Sequence, residues 1–267
     1  MMIMVAPNGA RRTRADHAAI PLTPEELAVT AGACLEAGAC AMHLHVRDAS
    51  GKHTLDPSRY RAALEAIRAR VGDRLLLQVT TEAVGIYSAE EQIAVVRELV
   101  PEAVSLAVRE LARAGEEAIA ALDRWMLDQG VLPQWILYST EELELINDWI
   151  RRDVLAASSY PLLFVLGKYK SSVAATPEML EKVTGLQEAP CWMACAFGPA
   201  EGLIMQSVAD LGGHARVGFE NNLVGPDGQL AADNASLVRS LADYLHAGRK
   251  RRPATAEEAR EFLTPGC

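Results

Sequence analysis

The feature that most restricts this chain is an alternation. Short apolar runs of β type take turns with helical patterns from one end to the other, eight times over. The runs fall at 3–7, 41–46, 75–81, 103–108, 133–138, 162–167, 192–197 and 214–220. Apolar runs of this kind, without strict polar alternation, belong to parallel strands covered on both faces. The intervening helices carry their own start signals. Thr23-Pro24-Glu25-Glu26 supplies an N-cap threonine, a proline at the first helical position and a glutamate at the third. Ser88-Ala89-Glu90-Glu91 and Thr255-Ala256-Glu257-Glu258 repeat the capping pattern, and Gly38 stops the first helix. Eight strands, each followed by a helix, predict an α/β fold of the (β/α)8 type, the TIM barrel. The competing architecture, an open doubly wound sheet, expects a GxGxxG turn after the first strand, and none is present. No linker, charge block or low-complexity segment divides the 267 residues, so residues 1–267 read as one barrel domain with a short C-terminal helix.

Composition then removes whole classes of function. The net charge is −9 with no basic stripe, which argues against a nucleic-acid partner and leaves small-molecule chemistry open. No window approaches 20 uninterrupted apolar residues, so no membrane span is expected. The stretch Met1-Met2-Ile3-Met4-Val5-Ala6-Pro7 lacks the charged start of a signal peptide, and a cytoplasmic protein is expected. Cys34, Cys40, Cys191, Cys195 and Cys267 are odd in number and sit mostly in apolar segments; they read as reduced thiols and not as a disulfide framework. The basic stretch 248–253 reads as a solvated loop.

In such barrels chemistry sits at the carboxyl ends of the strands. The polar residues expected there are Asn8 and Arg11; His43, His45, Arg47 and Asp48; Thr80, Thr81 and Glu82; Ser105, Arg109 and Glu110; Lys168 and Tyr169; and Arg216, Glu220, Asn221 and Asn222. Side chains two apart on a strand share a face, so His43 and His45 stand about 7 Å apart on one side and can converge on a divalent cation. The plainer reading is a pair of hydrogen-bonded core histidines. A metal centre needs a third ligand, and Glu220, ending the eighth strand, is the best candidate. Arg216 lies four residues earlier on the same strand face, where it either orients a carboxylate or fills the barrel as an ion pair. His17, His53, His214 and His246 read as ordinary residues of loops, strand starts or helices.

Several segments resemble one family. They are Ala6-Pro7-Asn8-Gly9-Ala10, Leu22-Thr23-Pro24-Glu25-Glu26, Glu36-Ala37-Gly38-Ala39, His43-Leu44-His45-Val46-Arg47-Asp48, Phe164-Val165-Leu166-Gly167, and the stretch from Gly213 through His214-Ala215-Arg216-Val217-Gly218-Phe219-Glu220 to Asn222. In register from residue 3 to about 263, they look like the β-keto acid cleavage enzymes. The resemblance implies a zinc-dependent barrel, or one using another divalent transition metal. It condenses a β-keto acid with acetyl-CoA to release acetoacetate and a new acyl-CoA, and it forms a homo-oligomer. It implies that His43, His45 and Glu220 bind the metal, that Arg216 works with the general base, and that Thr80 and Ser105 line the substrate site.

Three positions depart from the family pattern. Asn221 stands where the family has the aspartate taken as general base, and an amide does not accept a proton at neutral pH. Arg11 replaces a glutamate that faces the substrate ammonium in a lysine-fermentation member, which favours an acidic or neutral substrate over an amino-bearing one. Thr80-Thr81-Glu82 replaces a Ser-Thr-Gly-Gly type run, so Glu82 is the candidate substitute base. The altered base position keeps two alternatives open: a metal-dependent hydrolase or aldolase-like lyase on the same barrel that does not use acetyl-CoA, and a binding protein without catalysis.

Overall fold

The computed structural model describes residues 1–167, 175–184, 191–247 and 251–266. Ten strands run in chain order. They are β1 (Ile3–Val5), β2 (Ala41–Leu44), β3 (Val46–Arg47), β4 (His53–Thr54), β5 (Leu76–Thr80), β6 (Ala103–Ala107), β7 (Leu132–Leu137), β8 (Leu162–Leu166), β9 (Trp192–Ala196) and β10 (His214–Val217). Eight of them close a parallel barrel in the order β1-β2-β5-β6-β7-β8-β9-β10, with β10 returning to β1. The other two, β3 and β4, form an antiparallel hairpin directly after β2.

Each barrel strand leads to a helix: α1 (Pro24–Ala37), α2 (Pro57–Val71), α3 (Ala89–Leu99), the short α4 (Val108–Leu111) with α5 (Glu116–Gln129), α6 (Thr140–Arg151), α7 (Pro177–Thr184), α8 (Glu201–Asp210) and α9 (Asn234–His246). The eightfold alternation is thus a (β/α)8 barrel. The predicted caps form: Thr23, Ser88 and Thr255 each accept a hydrogen bond from the third residue of their helix, and Gly38 ends α1 at φ +111°.

Strand alternation sorts the core into two shells. Ile3, Val5, Met42, Leu44, Leu77 and Val79 point outward and pack with helix residues such as Leu27, Ala31 and Ile67. Met2, Met4, Ala41, Leu76, Ala103, Leu163 and Met193 point inward and fill the lower barrel. The last helix, α10 (Ala256–Leu263), sets Ala259, Phe262 and Leu263 into that inner cluster and closes the amino end. The carboxyl end carries the polar residues.

Three sequence expectations change here, two at strand ends and one at a cysteine. The second barrel strand stops at Leu44, so His45 sits in the one-residue link before the hairpin, and its ring still converges with that of His43. The eighth stops at Val217, and Glu220 lies in a tight turn, not on the strand beside Arg216. Gly218 makes that turn: it adopts φ +134°, and a Cβ on it would come within 2.5 Å of the Ala6 carbonyl oxygen. The Gly218 carbonyl accepts from Asn221 and Asn222 at 2.9 and 3.0 Å, and the Ala6 carbonyl accepts from Glu220 N–H at 3.0 Å. Cys34, Cys40 and Cys195 are buried free thiols as expected, whereas Cys191 is disulfide-bonded. Lys168 and Tyr169 lie outside the described residues, as does part of the basic stretch 248–253. Among the described residues no helix is long and apolar enough to cross a membrane.

Candidate active site

The floor of the site is set by three side chains from two distant parts of the chain. His43 projects from the end of β2, His45 from just beyond it, and Glu220 from the turn after β10. Their Nε2, Nε2 and Oε2 atoms form a triangle with sides of 3.2 Å between the imidazoles, 3.3 Å from His45 to Glu220 and 3.7 Å from His43 to Glu220.

Which protons sit on these rings follows from their neighbours. His43 Nδ1 lies 2.8 Å from Gln78 Oε1, an acceptor, so Nδ1 carries the proton and Nε2 is bare. His53 Nε2 lies 3.0 Å from the Glu82 carbonyl oxygen and donates to it, leaving its Nδ1 as a lone pair. That lone pair stands 3.4 Å from His45 Nδ1. Burial holds His43 and His53 neutral, pushing each pKa down to about 3.

The carboxyl of Glu220 is held well below the usual range: burial alone would raise it, but the Arg216 guanidinium leads the charges that outweigh that. Arg216 Nη2 donates to Glu220 Oε1 at 3.1 Å and contacts Cys195 Sγ at 3.4 Å. Glu220 Oε2 has no hydrogen-bond partner although buried. A buried anionic oxygen left unpaired beside bare imidazole nitrogens is costly without a cation among them. The donor set, two imidazoles and a carboxylate, is one that zinc accepts. Tetrahedral bonds of ~2.0–2.1 Å place ligand atoms roughly 3.3 Å apart, close to the three sides observed. The residues therefore fit a divalent metal, and their ligand atoms all lie within 4.8 Å of one another.

Above this floor opens a cavity of about 330 Å³. Of the residues expected at strand ends, Asn8, Arg11, Glu82, Arg109, Glu110, Arg216 and Glu220 line it; Arg12, Tyr138, Val165 and Phe197 are among those that join them. Arg216 Nε and Nη1 are buried and unpartnered. Arg11 is about half exposed and sits 3.7 Å from Glu82. Burial raises the Glu82 carboxyl above the ordinary carboxylate range, Glu220 adding to this while His45 and Arg11 oppose it. Arg109 lies over the Tyr138 ring at 3.7 Å and bonds Glu142 at 2.7 Å.

Thr80, Ser105 and Asn221 are buried but do not line the cavity. The Thr80 hydroxyl accepts from Glu82 N–H at 3.0 Å and shapes the turn that presents Glu82, while Ser105 Oγ has no partner. Both amide atoms of Asn221 are unpartnered, and its carbonyl accepts from Gly198 N–H and Arg12 Nη2, each at 3.2 Å.

Residues expected at the mouth also brace it. The Asn8 amide donates to the Pro21 and His45 carbonyls at 3.0 Å and accepts from His45 N–H at 3.4 Å, pinning the His45 backbone. Arg47 ties the hairpin to the β1 loop through the Gly9 and Arg12 carbonyls. Asp48 is exposed and caps the hairpin turn at Ser50 and Lys52. Asn222 bonds the buried Glu201 at 3.2 Å. Gln78 and Gln134 have roles that the sequence pattern does not assign, and His53, an ordinary residue by sequence, contacts His45. The two glutamines interrupt apolar strands, a signal that such residues need a partner inside; His53 gave none beyond its proximity to His45.

Comparison with known proteins identifies the family. A family model described as beta-keto acid cleavage enzyme matches residues 1–264. The chain is 29% identical over 271 residues to 3-keto-5-aminohexanoate cleavage enzyme of Fusobacterium nucleatum subsp. nucleatum, covering 99% of this chain and 97% of that one. It is 27% identical to 3-oxoadipate:acetyl-CoA acetyltransferase of Cupriavidus necator, covering 98% and 94%. The solved apo structure of ObcA superposes with a TM-score of 0.67 at 18% identity, covering 93% of this chain and 66% of that one, and so shares the fold. A match spanning nearly all 267 residues, on a barrel of this form, places the chain in the β-keto acid cleavage enzyme family.

Proposed function

We propose that the protein is a metal-dependent enzyme that joins a β-keto acid to acetyl-CoA and yields acetoacetate and a new acyl-CoA. The observation that carries this reading is the triangle of bare donor atoms on His43, His45 and Glu220, set below a cavity that Arg216 lines with two unpartnered guanidinium nitrogens. These three residues would hold zinc or another divalent transition metal. When bound, the ion supplies Lewis-acid polarisation of the keto acid's carbonyl. The Arg216 guanidinium, on the cavity wall, pairs with the substrate carboxylate. Glu82 accepts the proton from the carbon between carboxylate and ketone, and its raised pKa suits a base. Asn221 cannot take that proton, which is why the role passes to Glu82. The deprotonated carbon attacks the acetyl thioester and expels the CoA thiolate. That thiolate adds to the ketone carbon, the bond from the ketone carbon to the middle carbon breaks to leave the acyl group on CoA, and Glu82 returns its proton to the middle carbon to complete acetoacetate.

Arg11 and Arg109 on the cavity wall favour an acidic or neutral chain over an amino-bearing one. The Cupriavidus relative, named for 3-oxoadipate, makes a keto diacid a sensible first substrate to try. The test is to incubate metal-loaded protein with acetyl-CoA and a panel of β-keto acids, with and without chelator. Acetoacetate and acyl-CoA should appear in equal amounts, stop with chelator and return with zinc. Turnover of a keto acid in the absence of any CoA thioester would replace this reading with the lyase one, which the amide at position 221 favours.

A further inference from the structure

We infer that His53 is the positioning residue of the metal site, fixing which nitrogen of His45 is bare. The inference rests on the metal reading above and adds a residue that the family resemblance does not assign.

The argument is one of proton accounting. A backbone carbonyl can only accept, so the 3.0 Å contact between His53 Nε2 and the Glu82 oxygen puts the His53 proton on Nε2. The neutral ring then offers a lone pair at Nδ1, 3.4 Å from Nδ1 of His45. Two lone pairs at that distance repel, so once a cation takes up the His45 Nε2 lone pair the ring carries its proton on Nδ1, directed at His53. That Nε2 is the nitrogen that stands 3.2 Å from His43 Nε2 and 3.3 Å from Glu220 Oε2. An unrestrained neutral imidazole can place its proton on either nitrogen, and the wrong choice would aim an N–H at the ion.

A second acceptor competes for the same proton. Glu82 Oε2 lies 3.9 Å from His45 Nδ1, beyond hydrogen-bond reach. Were it to take the proton, the carboxylate would be tied to the metal support and lost to the cavity. Glu82 instead lends its backbone carbonyl through His53 and keeps its side chain on the cavity wall, facing Arg11 at 3.7 Å. His53 itself is held firmly: it is 6% exposed, pairs with Arg47 across the hairpin, and meets Tyr87 edge-on at 6.3 Å.

Three proteins test this: wild type, His53→Asn and His53→Leu. Asparagine sets Oδ1 where the ring has Nδ1 and can accept from His45; leucine fills similar space with no acceptor. Zinc affinity, read by competition with a chromophoric chelator, should fall ~10–100-fold in His53→Leu and only a few-fold in His53→Asn. The metal-free melting temperatures of the two variants should agree. In ¹⁵N-imidazole spectra of the zinc-loaded wild type, His45 should show a protonated Nδ1, a signal kept in His53→Asn and broadened or lost in His53→Leu. Equal affinity in wild type and His53→Leu overturns the assignment, as does equal loss in both variants, which would mean packing alone. A wild-type spectrum with the proton on His45 Nε2 overturns it without any variant. Failure of the wild type to take up zinc instead overturns the metal reading itself.

Discussion

His43 and His45 are separated by one residue, yet the molecule braces them from different regions. His43 is supported from inside the barrel. It is the register partner of Gln78 on β5 and donates to Gln78 Oε1. The Gln78 amide donates in turn to Gln134 Oε1 at 3.0 Å, and the Gln134 amide contacts Met193 Sδ at 3.7 Å. Both glutamines are fully buried. His45 is supported from outside, by Asn8 on its backbone and by His53 of the hairpin on its ring. The inner brace is made of strands that must pair for the barrel to close, so it shares the stability of the fold. The outer brace is made of loop and hairpin, elements that can be altered with little effect on the rest. One centre is thus half scaffold and half adjustable rim.

The largest expected effect separates chemistry from either brace. Glu82→Gln leaves the backbone carbonyl that holds His53 in place, so metal content should stay intact while turnover falls ~10²–10⁴-fold. Steady-state rates and metal analysis on the same sample check this; loss of the metal together with turnover would show that the carboxylate belongs to the outer brace.

Gln78→Leu should strike the inner brace and the fold together. It strands the His43 Nδ1 proton and Gln134 Oε1 in the interior, at about 1–3 kcal/mol for each orphaned group. Urea unfolding of the metal-free protein should register that loss, and zinc competition should show weaker binding. Unchanged stability of the metal-free protein would erase the contrast with His53.

The smallest effect concerns Glu220, the third of the proposed ligands. Gly9 sits at φ +59°, and a Cβ there would stand 2.6 Å from Glu220 Cγ. Gly9→Ala should cost about 1 kcal/mol or somewhat more from the left-handed backbone, read in a thermal melt, and weaken zinc binding a few-fold by moving the Glu220 stem. Wild-type affinity in this variant would mean that the β1 loop does not hold Glu220.

Local patterns made much of this legible beforehand. Apolar runs bounded by caps read as strands and helices because burial on both faces and N-terminal capping act over a few residues. Barrel order then follows from the count, and with it the expectation that polar residues after each strand meet at one rim. Strand ends were less legible. His45 and Glu220 continue apolar runs, so they read as strand, but Gly218 turns the chain before Glu220 and the hairpin claims the residues after His45. The hairpin had a local signal, Gly51 at φ +80° after Asp48, yet its partner strand is two residues long and carries no pattern of its own.

What the sequence determined by itself was the repeating unit, its eightfold count, and the residue types at the rim, since each depends on contacts within a single strand or helix. What only the tertiary structure decided was which of those rim residues touch: that Thr80, Ser105 and Asn221 stay off the cavity wall, that Gln78 serves His43, and that an unremarkable histidine serves His45. Such contacts join residues tens to hundreds of positions apart, and their distances depend on barrel closure and turn geometry, to which no local run of residues is sensitive.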